Sequence, residues 1–143
     1  MSETGPHVLT MTVPETDIDR MGHVNNAAWV RWLEEAAWAH THAVGLDWEI
    51  YRRLNRSFVA RRTEIDYLGA AFAGENLRMA TWIASHDGRI SMVRRYRIER
   101  EADARVLLRA STRWVCVAID SGKPRRMPPE FLHAWPVLGD IEP

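Results

Sequence analysis

Little in this sequence can cross-link or anchor it. Cys116 is the only cysteine, which excludes an internal disulfide and a cysteine-based zinc site and fits a reducing compartment. No run of about 18 apolar residues exists to span a bilayer. Residues 1–7 lack the basic and apolar regions of a signal peptide, so the expected location is the cytoplasm, with no membrane partner. Neither sign of charge is in surplus: 19 basic residues meet 19 acidic ones, and without a global field the chain is not expected to bind nucleic acid. Lysine is almost missing, Lys123 standing alone among arginines. Also missing are a His-Glu-x-x-His pair, a Gly-x-Ser-x-Gly elbow and a glycine-rich phosphate loop, the ordinary marks of zinc hydrolases, serine hydrolases and nucleotide-binding proteins. His40 and His42 lie two apart on a predicted helix and face different directions, so neither a metal site nor a resident cofactor is expected. No repeat, low-complexity tract or linker divides the chain. What remains is 143 residues of 46% hydrophobic content, enough for one domain over 1–143 around a single core.

The most informative stretch that is present reads Asp17-Ile18-Asp19-Arg20-Met21-Gly22-His23-Val24-Asn25-Asn26. It sets carboxylates, a histidine, a glycine turn and two amides directly ahead of an amphipathic segment. There Trp29, Trp32, Leu33, Ala36, Ala37, His40 and Val44 recur at the i, i+3, i+4, i+7 spacing of one helical face, while Arg31, Glu34 and Glu35 fall elsewhere. Asn25 or Asn26 supplies the N-cap and Gly45 the stop. Asp19 is thereby delivered to the positive end of a helix dipole, where free N–H groups stabilise a developing negative charge. A carboxylate beside an oxyanion site suits acyl transfer. The same residues open like a calcium loop, but Met21 and Ala28 stand where ligands are needed. Asp17 reads as a brace of the turn.

Residues 8–13 alternate apolar and polar side chains and stop at Pro14, the pattern of a first strand. A shorter helical piece is predicted over 47–54, then strands over 58–67, 76–86, 90–101 and 106–119. His86-Asp87-Gly88-Arg89 predicts a tight hairpin centred on Asp-Gly, and Glu101-Ala102-Asp103-Ala104 a weaker turn. One strand, one long helix and a run of mainly antiparallel strands define the α+β class. With a single helix long enough to cover it, the sheet must curl around that helix or leave a face for a partner subunit. Residues 127–143, rich in proline, are expected to form an extended tail on the surface or on a neighbour.

The loop from Thr16 to Asn26, the helix segment Trp29-Val30-Arg31-Trp32-Leu33-Glu34-Glu35-Ala36 and the strand-and-turn Glu64-Ile65-Asp66-Tyr67-Leu68-Gly69-Ala70 together resemble the hotdog-fold thioesterases of the 4-hydroxybenzoyl-CoA thioesterase type. Gly74-Glu75 and Trp114-Val115-Cys116-Val117, leading into Gly122-Lys123-Pro124, add to the likeness. The resemblance implies a five-stranded, curled, mainly antiparallel sheet wrapped around one central helix. It further implies hydrolysis of an acyl- or aryl-CoA thioester, with coenzyme A entering only as part of the substrate, in homodimers or homotetramers whose active sites lie at subunit interfaces. Asp19 takes the place of the nucleophile or general base, and Asn26 that of the helix-terminal amide that polarises the carbonyl. His23-Val24-Asn25-Asn26 is similar to plant acyl-carrier-protein thioesterases, although Met21 replaces their catalytic asparagine, so that only Asp19 and His23 carry over. Gly22, Val24 and Asn25 of the loop, with Glu64, Tyr67, Arg61 and Arg62 of the following strand, are the candidate substrate-binding residues. Glu64 is also a second, lesser candidate acid or base.

Arg61-Arg62, Arg94-Arg95 and Arg125-Arg126 are candidates for the phosphates of coenzyme A, because guanidinium binds phosphate through paired hydrogen bonds. Trp29, Trp32 and Trp38 fill the core or a subunit interface, or one of them lines an acyl pocket. Cys116 sits in an apolar strand and is expected to be buried and inert. Three readings stand at this point: an acyl- or aryl-CoA thioesterase, with acyl carrier protein as the other possible carrier; another enzyme of the same fold, such as a hydratase; and a noncatalytic acyl-CoA-binding module.

Overall fold

Antiparallel pairing joins all five strands, and its order explains how the molecule closes. The computed structural model describes residues 5–141. Residues 1–4, part of the 1–7 stretch expected to hold no signal peptide, and residues 142–143 of the tail lie outside it. Strands β1 (His7–Thr12), β2 (Ser57–Tyr67), β3 (Asn76–His86), β4 (Ser91–Arg100) and β5 (Val106–Val117) form one sheet in the order β1-β3-β4-β5-β2. Chain neighbours β3, β4 and β5 make hairpins, whereas β1 and β2 sit at opposite edges, separated in sequence by the helices α1 (Asn26–Ala43) and α2 (Trp48–Leu54). β2 carries a bulge between Ala60 and Arg62, which bends and twists the edge.

Helix α1 lies in the concave side of the sheet because its apolar stripe has no other place to go. Ala28, Trp29, Trp32, Leu33 and Ala36 are buried against Leu77 and Met79 of β3, Tyr96 and Ile98 of β4, and Leu108 and Ala110 of β5. At about 25 cal/mol per Å² of apolar area removed from water, burial of this set is the main favourable term holding helix to sheet. β4 shows the reason in its sequence: every second residue from Met92 to Ile98 is buried, the period of two that a half-covered sheet imposes.

The tail corrects its expectation. Instead of an extended arm, it forms a short helix α3 (Pro129–Leu132) and places Met127, Phe131 and Trp135 in a second core with Leu46, Tyr51, Ile83, Met92 and Cys116. Beyond it the chain pairs with β3, Leu138 and Gly139 donating their amides to the carbonyls of Ile83 and Ala84, and the Trp82 indole N–H bonds the Gly139 carbonyl at 3.0 Å. Phe131 and Trp135 are too apolar to leave in water, and proline spacing alone did not register that. The 86–89 hairpin also differs: His86 pairs with Met92, so the loop is longer than an Asp-Gly two-residue turn.

Candidate active site

Residues 17–25 are held as a closed loop. Ile18 and Val24 form an antiparallel bridge, the Asp19 amide donates to the His23 carbonyl at 2.7 Å, and the Gly22 amide donates to the Asp19 carbonyl at 3.0 Å. The reversal needs a left-handed residue, which Gly22 supplies at φ +81°; a Cβ there would meet open space, so the requirement is conformational and not steric. Asp17 is buried under the loop. Its carboxylate pairs with Arg31 of α1 at 2.6 Å, and its carbonyl accepts from the Asn25 amide and side chain. The loop is thus fixed to the helix it precedes, as a brace at Asp17 implies.

Asn25 proves to be the N-cap, its Oδ1 accepting the Ala28 amide at 2.8 Å. Asn26 is then the first helical residue and is exposed. Its amide and that of Ala27 precede the first intrahelical bond and sit at the positive end of an 18-residue helix. Asp19 itself is exposed. Its Oδ1 accepts the amides of Met21 at 2.8 Å and His23 at 3.2 Å, while no hydrogen bond engages Oδ2 among the described residues. One carboxylate oxygen is therefore tethered and the other is free to act. The His23 ring packs edge-on against Phe72 at 5.3 Å, half-buried.

The remaining candidates divide. Val24 is a core residue, 5% exposed, its amide bonded to the Ala71 carbonyl, so its side chain is not available to a ligand. Tyr67 is exposed at the end of β2, shortly before Ala71 and Phe72, which flank the loop. Thr63 and Ile65 point toward α1, Thr63 bonding Thr112 and Ile65 packing on the main core; alternation turns Arg62, Glu64 and Asp66 to the opposite face of the sheet. There Glu64 pairs with Arg62 at 3.5 Å and shares a shallow pocket with Asp66, Arg95 and Arg109. Within this chain, Glu64 and Arg62 do not join Asp19. Arg61 is exposed at the bulge.

Of the arginine pairs, Arg94 is corrected outright. It is 2% exposed, buried under the sheet, and is no surface phosphate ligand, while Arg95 pairs with Asp140 of the tail at 2.6 Å. Sequence reading also missed an apolar cavity of about 210 Å³ at the far end of α1, lined by Trp38, Tyr51, Phe58, Trp114, Trp135 and Arg94 among others. Trp38 lines this cavity together with Trp114 and Trp135, whereas Trp29 and Trp32 lie in the main core. The signal for Arg94 was present: it occupies an inward position in the alternation of β4.

A family model, the thioesterase-like superfamily, matches residues 13–135, which include the loop, α1 and the whole sheet beyond β1. The chain belongs to this superfamily. Its fold is the hotdog fold the resemblance implied, shared with solved structures at low identity. A 1,4-dihydroxy-2-naphthoyl-CoA thioesterase from Synechocystis is 21% identical with a TM-score of 0.82, covering 91% of this chain and 95% of that one. A DHNA-CoA thioesterase from Staphylococcus aureus is 20% identical with a TM-score of 0.82, covering 90% and 87%. A 12:0-ACP thioesterase from Umbellularia californica is 16% identical with a TM-score of 0.79, covering 90% of this chain and 49% of that one. No curated protein sequence matches the chain significantly. No helix among the described residues of this superfamily member is long and apolar enough to cross a membrane.

Proposed function

We propose that the protein hydrolyses an acyl- or aryl-CoA thioester, with Asp19 as general base or nucleophile. The observation that carries this is the division of labour on one carboxylate, Oδ1 held by two loop amides and Oδ2 unengaged, on the loop that leads directly into the open N-terminus of α1. As base, Asp19 takes a proton from water while the hydroxide oxygen bonds the thioester carbon; the tetrahedral oxyanion then collapses, the C–S bond breaks, and the sulfur leaves with the proton. As nucleophile, the carboxylate displaces the thiolate to give a mixed anhydride that water opens. Either route raises negative charge on the carbonyl oxygen, where the amides of Asn26 and Ala27 can donate. Such preorganised donors are commonly worth roughly 3 kcal/mol each. His23 serves in positioning, through its backbone bonds to Asp19.

The working unit in this reading is a homo-oligomer. β2 is an eleven-residue edge strand exposed along most of its length, with Val59 and Tyr67, and Leu68 just beyond its end, presenting apolar surface, and a long open edge of this kind is a template for pairing with another chain. The test is thiol release from a panel of acyl- and aryl-CoAs by wild type and Asp19→Ala, with coenzyme A binding measured for both. A loss of at least about 10²-fold in rate with binding retained is expected. A variant as fast as wild type removes Asp19 from the chemistry.

A further inference from the structure

Arg94 is a buried cation without a counter-ion. Its guanidinium donates to His40 Nδ1 and to Thr81 Oγ1, each at 3.0 Å, and no carboxylate of the described residues pairs with it. Both acceptors are neutral. Arginine only donates, so His40 must offer a bare Nδ1, and Thr81 in turn spends its own hydrogen on the Arg95 carbonyl at 2.9 Å. Guanidinium keeps its charge throughout the physiological range. A buried charge of this kind is costly unless something of opposite sign comes to it.

The surroundings say what that something is. Arg94 lines the aromatic cavity together with Tyr51, Phe58, Met92, Trp114 and Trp135. Trp135, 5% exposed, keeps its indole N–H buried with no acceptor. A cationic donor and an unused neutral donor therefore share one apolar chamber, and neither has an anion to bind. Its volume of about 210 Å³ exceeds the ~150 Å³ that suffices for benzene, leaving room for a small charged group beside one ring or a chain end. Glu34, exposed on the rim, disfavours an anion there and leaves the Arg94 end as the place where negative charge gains.

We propose that this cavity binds a carboxylate carried on an apolar or aromatic body, the anion paired with Arg94 and bonded by Trp135. Two sources share that chemistry: the far end of the acyl group of the substrate, or a free acid. The first rests on the thioesterase reading. It is geometrically open, because Asn26, Val30, Glu34, Ala37 and Thr41 form one stripe along α1 from the Asp19 end to the cavity, a span of roughly 16 Å from Asn26 to Ala37 at 1.5 Å per residue. Only a long acyl group bridges it within one protomer.

Calorimetry of the full chain with 3-phenylpropionate and its neutral amide, 3-phenylpropionamide, tests the site directly. The carboxylate is expected to bind at least about tenfold more tightly. Equal binding of the two, or none of either, overturns the proposal on wild type alone. Arg94→Met should abolish the carboxylate's advantage; since that change can disturb packing, Trp135→Phe, which keeps a ring but loses the N–H, should weaken the carboxylate several-fold and leave the amide little changed. The source is read from coenzyme A thioesters of a long straight dicarboxylic acid and of the methyl-ended acid of equal length. A kcat/KM preference for the carboxylated chain, lost in Arg94→Met, assigns the acyl end; no preference, with the free acid still bound, assigns a free acid. If no thioester is cleaved at all, the catalytic reading fails while calorimetry still decides the anion site.

Discussion

His40 can accept a hydrogen bond from Arg94 only while its ring is neutral, and the fold enforces that. Burial, then the neighbouring Arg94 charge, and His7 as well, push its pKa down to about 3. His7, stacked on His40 at 5.3 Å, is shifted the same way by burial and by Arg94. The sign of the consequence follows from linkage. Below the ordinary histidine value of about 6.5 the unfolded chain takes up a proton that the folded chain refuses, so stability falls as pH drops from about 6.5 toward 3 and is unaffected by this group above that window. Urea denaturation at pH 7 and pH 5 should show wild type losing more stability than His40→Gln, whose side-chain oxygen can also accept from Arg94. The difference should be at most about 2 kcal/mol. Identical pH dependence in the two proteins removes His40 as the source. The residue scale is also where sequence reading was weakest. Arg94 and Arg95 look alike in a row of letters, but a strand sends neighbours to opposite faces, and Arg94 is the one in register with Met92, Tyr96 and Ile98.

The elements were largely legible. β3 spans 76–86 in both sequence and structure, and α1 begins and ends where an asparagine cap and Gly45 predicted, because alternation and helical spacing are strong, local signals. The turn at Gly22 and the Asn25 cap were legible for the same reason, being packed into ten consecutive residues. The β3–β4 connection was not, since its shape depends on what one side chain grips. Asp87 Oδ1 accepts the amides of Arg89, Ile90 and Ser91, and Oδ2 accepts the Ser91 hydroxyl, which lengthens the loop beyond two residues. Burial acts to raise the Asp87 pKa, but these bonds outweigh it and hold the carboxyl down to about 2. Asp87→Ala should therefore destabilise the protein by about 1–2 kcal/mol in urea denaturation at neutral pH, by loss of charge-assisted bonds to three amides. A variant indistinguishable from wild type would show that the loop holds without them.

At the scale of the whole molecule, β2 leaves one long side of the sheet open. A second copy pairing along it would satisfy the exposed backbone and cover Val59, Tyr67 and Leu68. Light scattering at micromolar concentration is expected to give a multiple of the 16.5 kDa chain mass, and Val59→Lys, which places a charge on the edge, to shift the protein toward monomer. A wild type that runs as 16.5 kDa leaves the edge unpaired and sinks the oligomeric reading. The tail has a consequence of another kind, one of timing. The loop with Asp19, α1 and all five strands precede Phe131 and Trp135 in the nascent chain; both of these join the second core, and Trp135 also supplies one wall of the cavity. Because folding can follow synthesis from the N-terminal side, the Asp19 end can be in place while Tyr51, Phe58 and Met92 still lack their cover. A chain ending before Trp135 would carry every residue of the Asp19 loop but lack one wall of the Arg94 chamber.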